Sequence, residues 1–255
     1  MPDTPGPALD SWTPGRFAAD GYEFPTYAKG TGPGVVVIHE LPGLTPHVVE
    51  FAEELVAAGY SVVLPHLFGQ AARLEHAGTS ARAFANVCVR AEFTKLATGV
   101  TAPLASWLRA LARDLAARTG GGVGALGMCF TGGFALAMML DEAVTAPVLA
   151  QPAVPFPVSR ARRADVNLSP EDFAAMTERA RSGCPVLGLR FWDDAAVGTR
   201  FSTLERALGP NFRHVDLPGR LHSTLTEHRS QEAVDAVLAF FAERLRARPT
   251  TPTVS

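Results

Sequence analysis

The chain is 255 residues long, 47% hydrophobic and 19% charged, with 23 basic residues against 25 acidic ones. That length buries a sizeable core, and the near-neutral balance argues against nucleic acid as the main partner, because phosphate binding needs a basic surface. No apolar run approaches the roughly 20 residues of a membrane span, and the opening MPDTPGPALDSWTPGRF lacks the regions of an export signal, so the expected setting is the cytoplasm.

Residues 1–15 carry four prolines and read as a flexible tail. After them, VVVIH (35–39) reads as a strand, VVEFAEELVAAG (48–59) as a helix stopped by Gly59, and SVVLP (61–65) as a second strand. The alternation continues with the helix PLASWLRALARDLAART (103–119), the strand VGALGM (123–128), the helix FALAMML (134–140) and the strand APVLAQ (146–151). The helix PEDFAAMTERAR (170–181), the strand PVLGLRF (185–191), the helix TRFSTLERALG (199–209), a weaker strand RHVDLP (213–218) and the helix SQEAVDAVLAFFAERLRA (230–247) complete it. Residues 247–255 read as a second flexible tail. Strands that are apolar on both faces and alternate with helices predict an α/β fold: a doubly wound, mostly parallel sheet with helices on both faces, as one domain over 16–246.

In such a sheet, ligands collect at the carboxyl ends of the strands. GALGMCFTGG (124–133) puts Cys129 in the turn between a strand and a helix, the G-x-nucleophile-x-G pattern with cysteine in the central place. Small neighbours suit such a tight turn, and a helix N-terminus favours thiolate. The formal G-x-G-x-x-G of Gly122, Gly124 and Gly127 lies before and within the strand, whereas phosphate-binding glycines follow it. For Cys88 and Cys184 the expected role is a small buried apolar residue. The three cysteines are widely spaced without a C-x-x-C pair, which argues against structural disulfides and a structural zinc.

A nucleophile needs a base, an orienting carboxylate and an oxyanion hole. Asp193 or Asp194, after PVLGLRF, and His222, in the loop after RHVDLP, follow Cys129 in the order nucleophile, acid, histidine. The first strand ends in His39-Glu40-Leu41, where the backbone N–H of Leu41 would join that of Phe130 as the oxyanion donors, with Glu40 pointing into the site. H-E-x-x-H is absent because Gly43 holds the place of the second histidine, so neither a metal nor another cofactor is expected.

HELPGL with GYSVVLPHLFG, GALGMCFTGG, and an acid-to-histidine tail ending in RLHS together resemble the dienelactone hydrolases, the cysteine-nucleophile branch of the α/β-hydrolase fold. The resemblance implies hydrolysis of a small ester or lactone through Cys129, His222 and Asp194. It also implies that Glu40 hydrogen-bonds the resting thiol and keeps it protonated until substrate arrives. Relatives that take dienelactone carry an arginine four residues past the histidine. Thr226 holds that place here, and it joins Arg82 and Arg90 as the expected substrate-binding residues. Two other readings fit the same residues: a carboxylesterase for a bulkier uncharged ester, and a non-catalytic thiol-based binder or sensor.

Overall fold

The computed structural model describes residues 6–69, 71 and 98–246. Its centre is an eight-stranded sheet in the order β1-β2-β4-β3-β5-β6-β7-β8. The strands are β1 (Thr13–Ala19), β2 (Tyr22–Lys29), β3 (Gly34–Ile38), β4 (Ser61–Pro65), β5 (Val123–Met128), β6 (Val144–Ala150), β7 (Val186–Phe191) and β8 (Phe212–Leu217). From β4 to β8 every neighbour pair is parallel, and β2 joins β4 antiparallel with β1 outside it. The helices are α1 (Pro46–Ala57), α2 (Leu104–Thr119), α3 (Gly132–Met138), α4 (Arg160–Ala164), α5 (Pro170–Arg181), α6 (Arg200–Leu208) and α7 (Gln231–Leu245).

All five residues of β3 are buried, and their alternation divides the core. Val36 and Ile38 pack with Trp107 and Leu111 of α2, Phe134 of α3 and Phe201 of α6. Val35 and Val37 pack with Phe51 and Leu55 of α1 and with Val234 and Phe241 of α7. Helix layers therefore cover both faces, which is why these strands read as unbroken apolar runs. Among the described residues no helix is long and apolar enough to cross a membrane.

The expected parallel strands and the helices between them are present, with ends shifted by one or two residues. Two differences stand at the N-terminal edge. First, the expected tail over 1–15 is too long: Leu9 and Trp12 are buried, and the Trp12 indole N–H donates to Glu53 at 2.7 Å, so these residues dock on α1 despite their prolines. Second, β1 and β2 carry no sequence expectation. β1 is exposed along most of its length, so it lacks the apolar run that marks the inner strands. The short helix α4, none of whose residues is buried, escapes notice for the same reason.

Candidate active site

The carboxyl ends of β3, β5, β6, β7 and β8, neighbours in the sheet, deliver Glu40, Cys129, Gln151, Asp194 and His222 to one place. Cys129 sits at φ +50 in the turn between β5 and α3, a conformation that L-residues rarely adopt and that recurs at strained functional turns. The surrounding glycines are required by contact. A Cβ at Gly127 would stand 2.2 Å from the Thr131 carbonyl oxygen, and one at Gly132 would stand 2.8 Å from Pro152 Cα. Thr131 ties the turn to the neighbouring strand. Its hydroxyl accepts from the Met128 N–H at 3.0 Å and lies 3.0 Å from the Ile38 carbonyl and 3.2 Å from that of His39.

His222 Nδ1 meets Asp194 Oδ2 at 2.5 Å, with the Asp194 side chain 6% exposed. Asp193 instead faces solvent, 3.6 Å from Arg220. Of the two candidate acids, the chain has turned Asp194 inward. With Nδ1 committed to Asp194, the remaining ring nitrogen serves Cys129. Burial alone would lower the imidazole, but the hydrogen bonds to Asp194 and Cys129 and the charges of both outweigh it and lift His222 to about 10. His222 thus holds a proton most firmly when Cys129 beside it is charged. The His228 ring accounts for part of this placement, since its Nδ1 holds the His222 carbonyl at 2.7 Å.

Glu40 is buried, and its hydrogen-bond partners differ from those the resemblance implies. Oε2 accepts from Ser223 Oγ at 2.9 Å and from Gln151 Nε2 at 3.3 Å, and Oε1 accepts from the Thr226 hydroxyl. Among the described residues the Cys129 thiol is not one of its partners, although the carboxylate, Sγ and a His222 nitrogen lie within 4.8 Å of one another. Burial raises the Glu40 carboxyl, while the hydroxyls of Thr226 and Ser223, the charge of His222 and the Gln151 amide pull the other way. Thr226, expected against substrate, thus directs its hydroxyl to Glu40. Gln151 is fixed in turn, because its Oε1 accepts from the Thr224 N–H at 3.2 Å and the Thr224 hydroxyl at 2.7 Å. Arg82, Arg90 and Cys88 lie outside the described residues. Cys184 is buried, and burial raises its thiol, as suits a packing residue.

Of the two expected oxyanion donors, Leu41 directly follows Glu40 and Phe130 directly follows Cys129 in the chain. Among the described residues nothing accepts from the Leu41 N–H. His39 fixes that peptide. Its ring is fully buried, and burial, with the charge of His66, lowers it to about 3. Nε2 accepts from the Leu67 N–H at 3.0 Å, so the proton sits on Nδ1, which donates to the Glu40 carbonyl at 3.1 Å.

Arg200 has no counterpart in the sequence reading. It is fully buried, and its guanidinium donates to the carbonyls of Asp165 at 2.7 Å, Ala196 and Val197 at 2.9 Å, Arg162 at 3.0 Å, and Pro155. Burial lowers it to about 10, partly offset by the charge of Asp165. It thereby clasps the acid turn that carries Asp194. An arginine opening an amphipathic helix gave no sign of this, since such residues ordinarily face solvent.

The sequence model of the dienelactone hydrolase family matches residues 20–208, about three quarters of the chain. Among curated proteins none matches. Three solved structures share the architecture: an esterase from an Arctic intertidal metagenomic library (20% identity, TM-score 0.61, covering 91% of this chain and 93% of that one), a dienelactone hydrolase-like promiscuous phosphotriesterase from metagenomic libraries (18%, 0.63, 92% and 98%), and the dienelactone hydrolase of Anabaena variabilis (18%, 0.59, 91% and 99%).

Proposed function

This chain belongs to the dienelactone hydrolase family and is a carboxylic ester hydrolase of the α/β-hydrolase fold; we propose that it cleaves small esters or lactones through an acyl-enzyme on Cys129. The observation that carries the proposal is the line from Asp194 through His222 to Cys129, beyond the carboxyl ends of β7, β8 and β5.

His222 takes the Cys129 thiol proton. Sγ attacks the carbonyl carbon, and the resulting oxyanion accepts hydrogen bonds from the Leu41 and Phe130 N–H groups. The C–O ester bond then breaks, and His222 gives its proton to the departing alkoxide. A thioester remains on Cys129. Water attacks it while the now neutral His222 takes a water proton, and collapse of the second tetrahedral intermediate frees the carboxylic acid and returns the proton to the His222–Cys129 pair. Asp194 holds the ring and its charge throughout, as the acid of such a triad does. Glu40 lines the site, anchored by neutral donors, with burial raising its carboxyl.

That anchoring favours an uncharged ester over dienelactone. The place where relatives carry a carboxylate-binding arginine holds Thr226, and its hydroxyl is engaged by Glu40. Turnover of p-nitrophenyl acetate and of dienelactone by the wild type, Cys129→Ala and His222→Ala tests both parts. The expected result is turnover of p-nitrophenyl acetate that falls at least about 10³-fold in either variant, with little turnover of dienelactone. Hydrolysis that survives both substitutions would sink the triad. Preference for dienelactone would overturn the choice of an uncharged substrate.

A further inference from the structure

We propose that the same pocket binds a zinc ion, as a reversible inhibitor held by Glu40, Cys129 and His222. One oxygen, one sulfur and one nitrogen from these residues lie within 4.8 Å of one another. Three points so placed share a centre no farther than about 2.8 Å from each, against zinc bonds of about 2.0–2.3 Å to nitrogen, oxygen and thiolate sulfur. Inward movements of less than about 1 Å close the shell.

The surroundings prepare each ligand. Asp194 holds His222 Nδ1 at 2.5 Å, leaving Nε2 toward the pocket in the carboxylate–histidine arrangement that orients metal-bound imidazoles. Glu40 Oε2 accepts two hydrogen bonds and Oε1 one, so Oε1 keeps a lone pair for a cation. Thiolate, carboxylate and neutral imidazole carry two negative charges, which a divalent ion neutralises, and their protons pass to solvent. Sulfur and imidazole nitrogen select zinc over magnesium and calcium, which take oxygen ligands. Three protein ligands leave a fourth position for water. The ligands stand 89 and 93 residues apart along the chain, so no local spacing motif announces them.

Binding does not depend on the hydrolytic reading, but inhibition rests on it: the metal occupies both the nucleophilic sulfur and the proton-carrying nitrogen. Metal-free enzyme is titrated with ZnCl2 by calorimetry and with CoCl2 by absorption. The expected results are one zinc per chain, a thiolate-to-cobalt charge-transfer band, and ester hydrolysis lost with zinc and restored by EDTA. Cys129→Ser should remove the band, Cys184→Ser should leave it, and Asp194→Asn should weaken zinc binding about 10- to 100-fold. Absence of a cobalt band in the wild type, or a band that survives Cys129→Ser, overturns the site. A Cys129-dependent band in an enzyme that hydrolyses no ester without metal supports the site and counts against the hydrolytic reading alone.

Discussion

Replacing His39 with glutamine should slow ester hydrolysis roughly 10- to 100-fold without removing any group that touches the nucleophile. The effect runs through one peptide plane. His39 is locked neutral with its proton on Nδ1, and that proton holds the Glu40 carbonyl at 3.1 Å. The Glu40–Leu41 peptide is planar and trans, so fixing its C=O on one side aims the Leu41 N–H from the other. Outright loss of one oxyanion donor costs about 10²- to 10³-fold in kcat. Unpinning the donor forfeits a hydrogen bond worth about 1–1.5 kcal/mol, which sets the lower end near tenfold. Glutamine keeps an acceptor near Nε2 for the Leu67 N–H and drops the Nδ1 donor. Asparagine does the reverse and should restore most of kcat. The predicted signature in His39→Gln is a lower kcat at nearly constant KM, with an unchanged rate of alkylation at Cys129 by iodoacetamide, because that displacement builds no oxyanion. Equal losses in hydrolysis and alkylation, or a glutamine variant as fast as wild type, would show that His39 only packs against Phe68, whose ring lies 4.4 Å away.

Other consequences follow from the buried polar groups. Thr226→Val deletes a donor to the Glu40 carboxylate, which should cost about 1.5–3 kcal/mol of stability in urea unfolding and raise the Glu40 carboxyl further, whereas Thr226→Ser should behave nearly as wild type. Arg200→Met leaves the carbonyls of Pro155, Arg162, Asp165, Ala196 and Val197 without their donor. A loss of at least about 3 kcal/mol is expected, and kcat of the folded fraction should fall because the Asp194 turn is no longer clasped. His222 stands above its unfolded value of 6.5 at about 10, so its contribution to stability is fully present below pH 6.5 and is lost as pH rises through about 10. Unfolding midpoints measured from pH 6 to 10.5 should fall across that window, and His222→Phe should flatten the fall; a wild-type curve as flat as the variant's would contradict the placement of the proton.

The parts of this fold that show in the sequence are those whose burial is nearly complete. The inner strands are apolar on both faces, and three of them lead to a residue that the apolar run makes conspicuous: Glu40, Cys129, Asp194. The parts that stay hidden depend on partners far away in the chain. Thr226 and Glu40 are 186 residues apart, and nothing near Thr226 foretells that its hydroxyl will find a buried carboxylate instead of a ligand. Arg200 likewise reads as an ordinary surface residue until loops around 155, 165 and 196 turn their carbonyls toward it. Gln151 sits at the end of β6 as a polar residue after an apolar strand, a signal of the same kind that marks Glu40, and it passes unnoticed only because amides carry no chemistry of their own. These hidden residues decide how the site treats charge. Cations and neutral donors do different work beside a buried carboxylate: an arginine there would neutralise Glu40 or be drawn off by a substrate anion, whereas Ser223, Thr226 and Gln151 hold the carboxylate in place and leave its charge to His222 and to whatever enters the pocket. At Glu40 an incoming ligand therefore meets a carboxyl held by neutral donors, and at position 226 it meets a hydroxyl where a cation would have held an anionic acyl group.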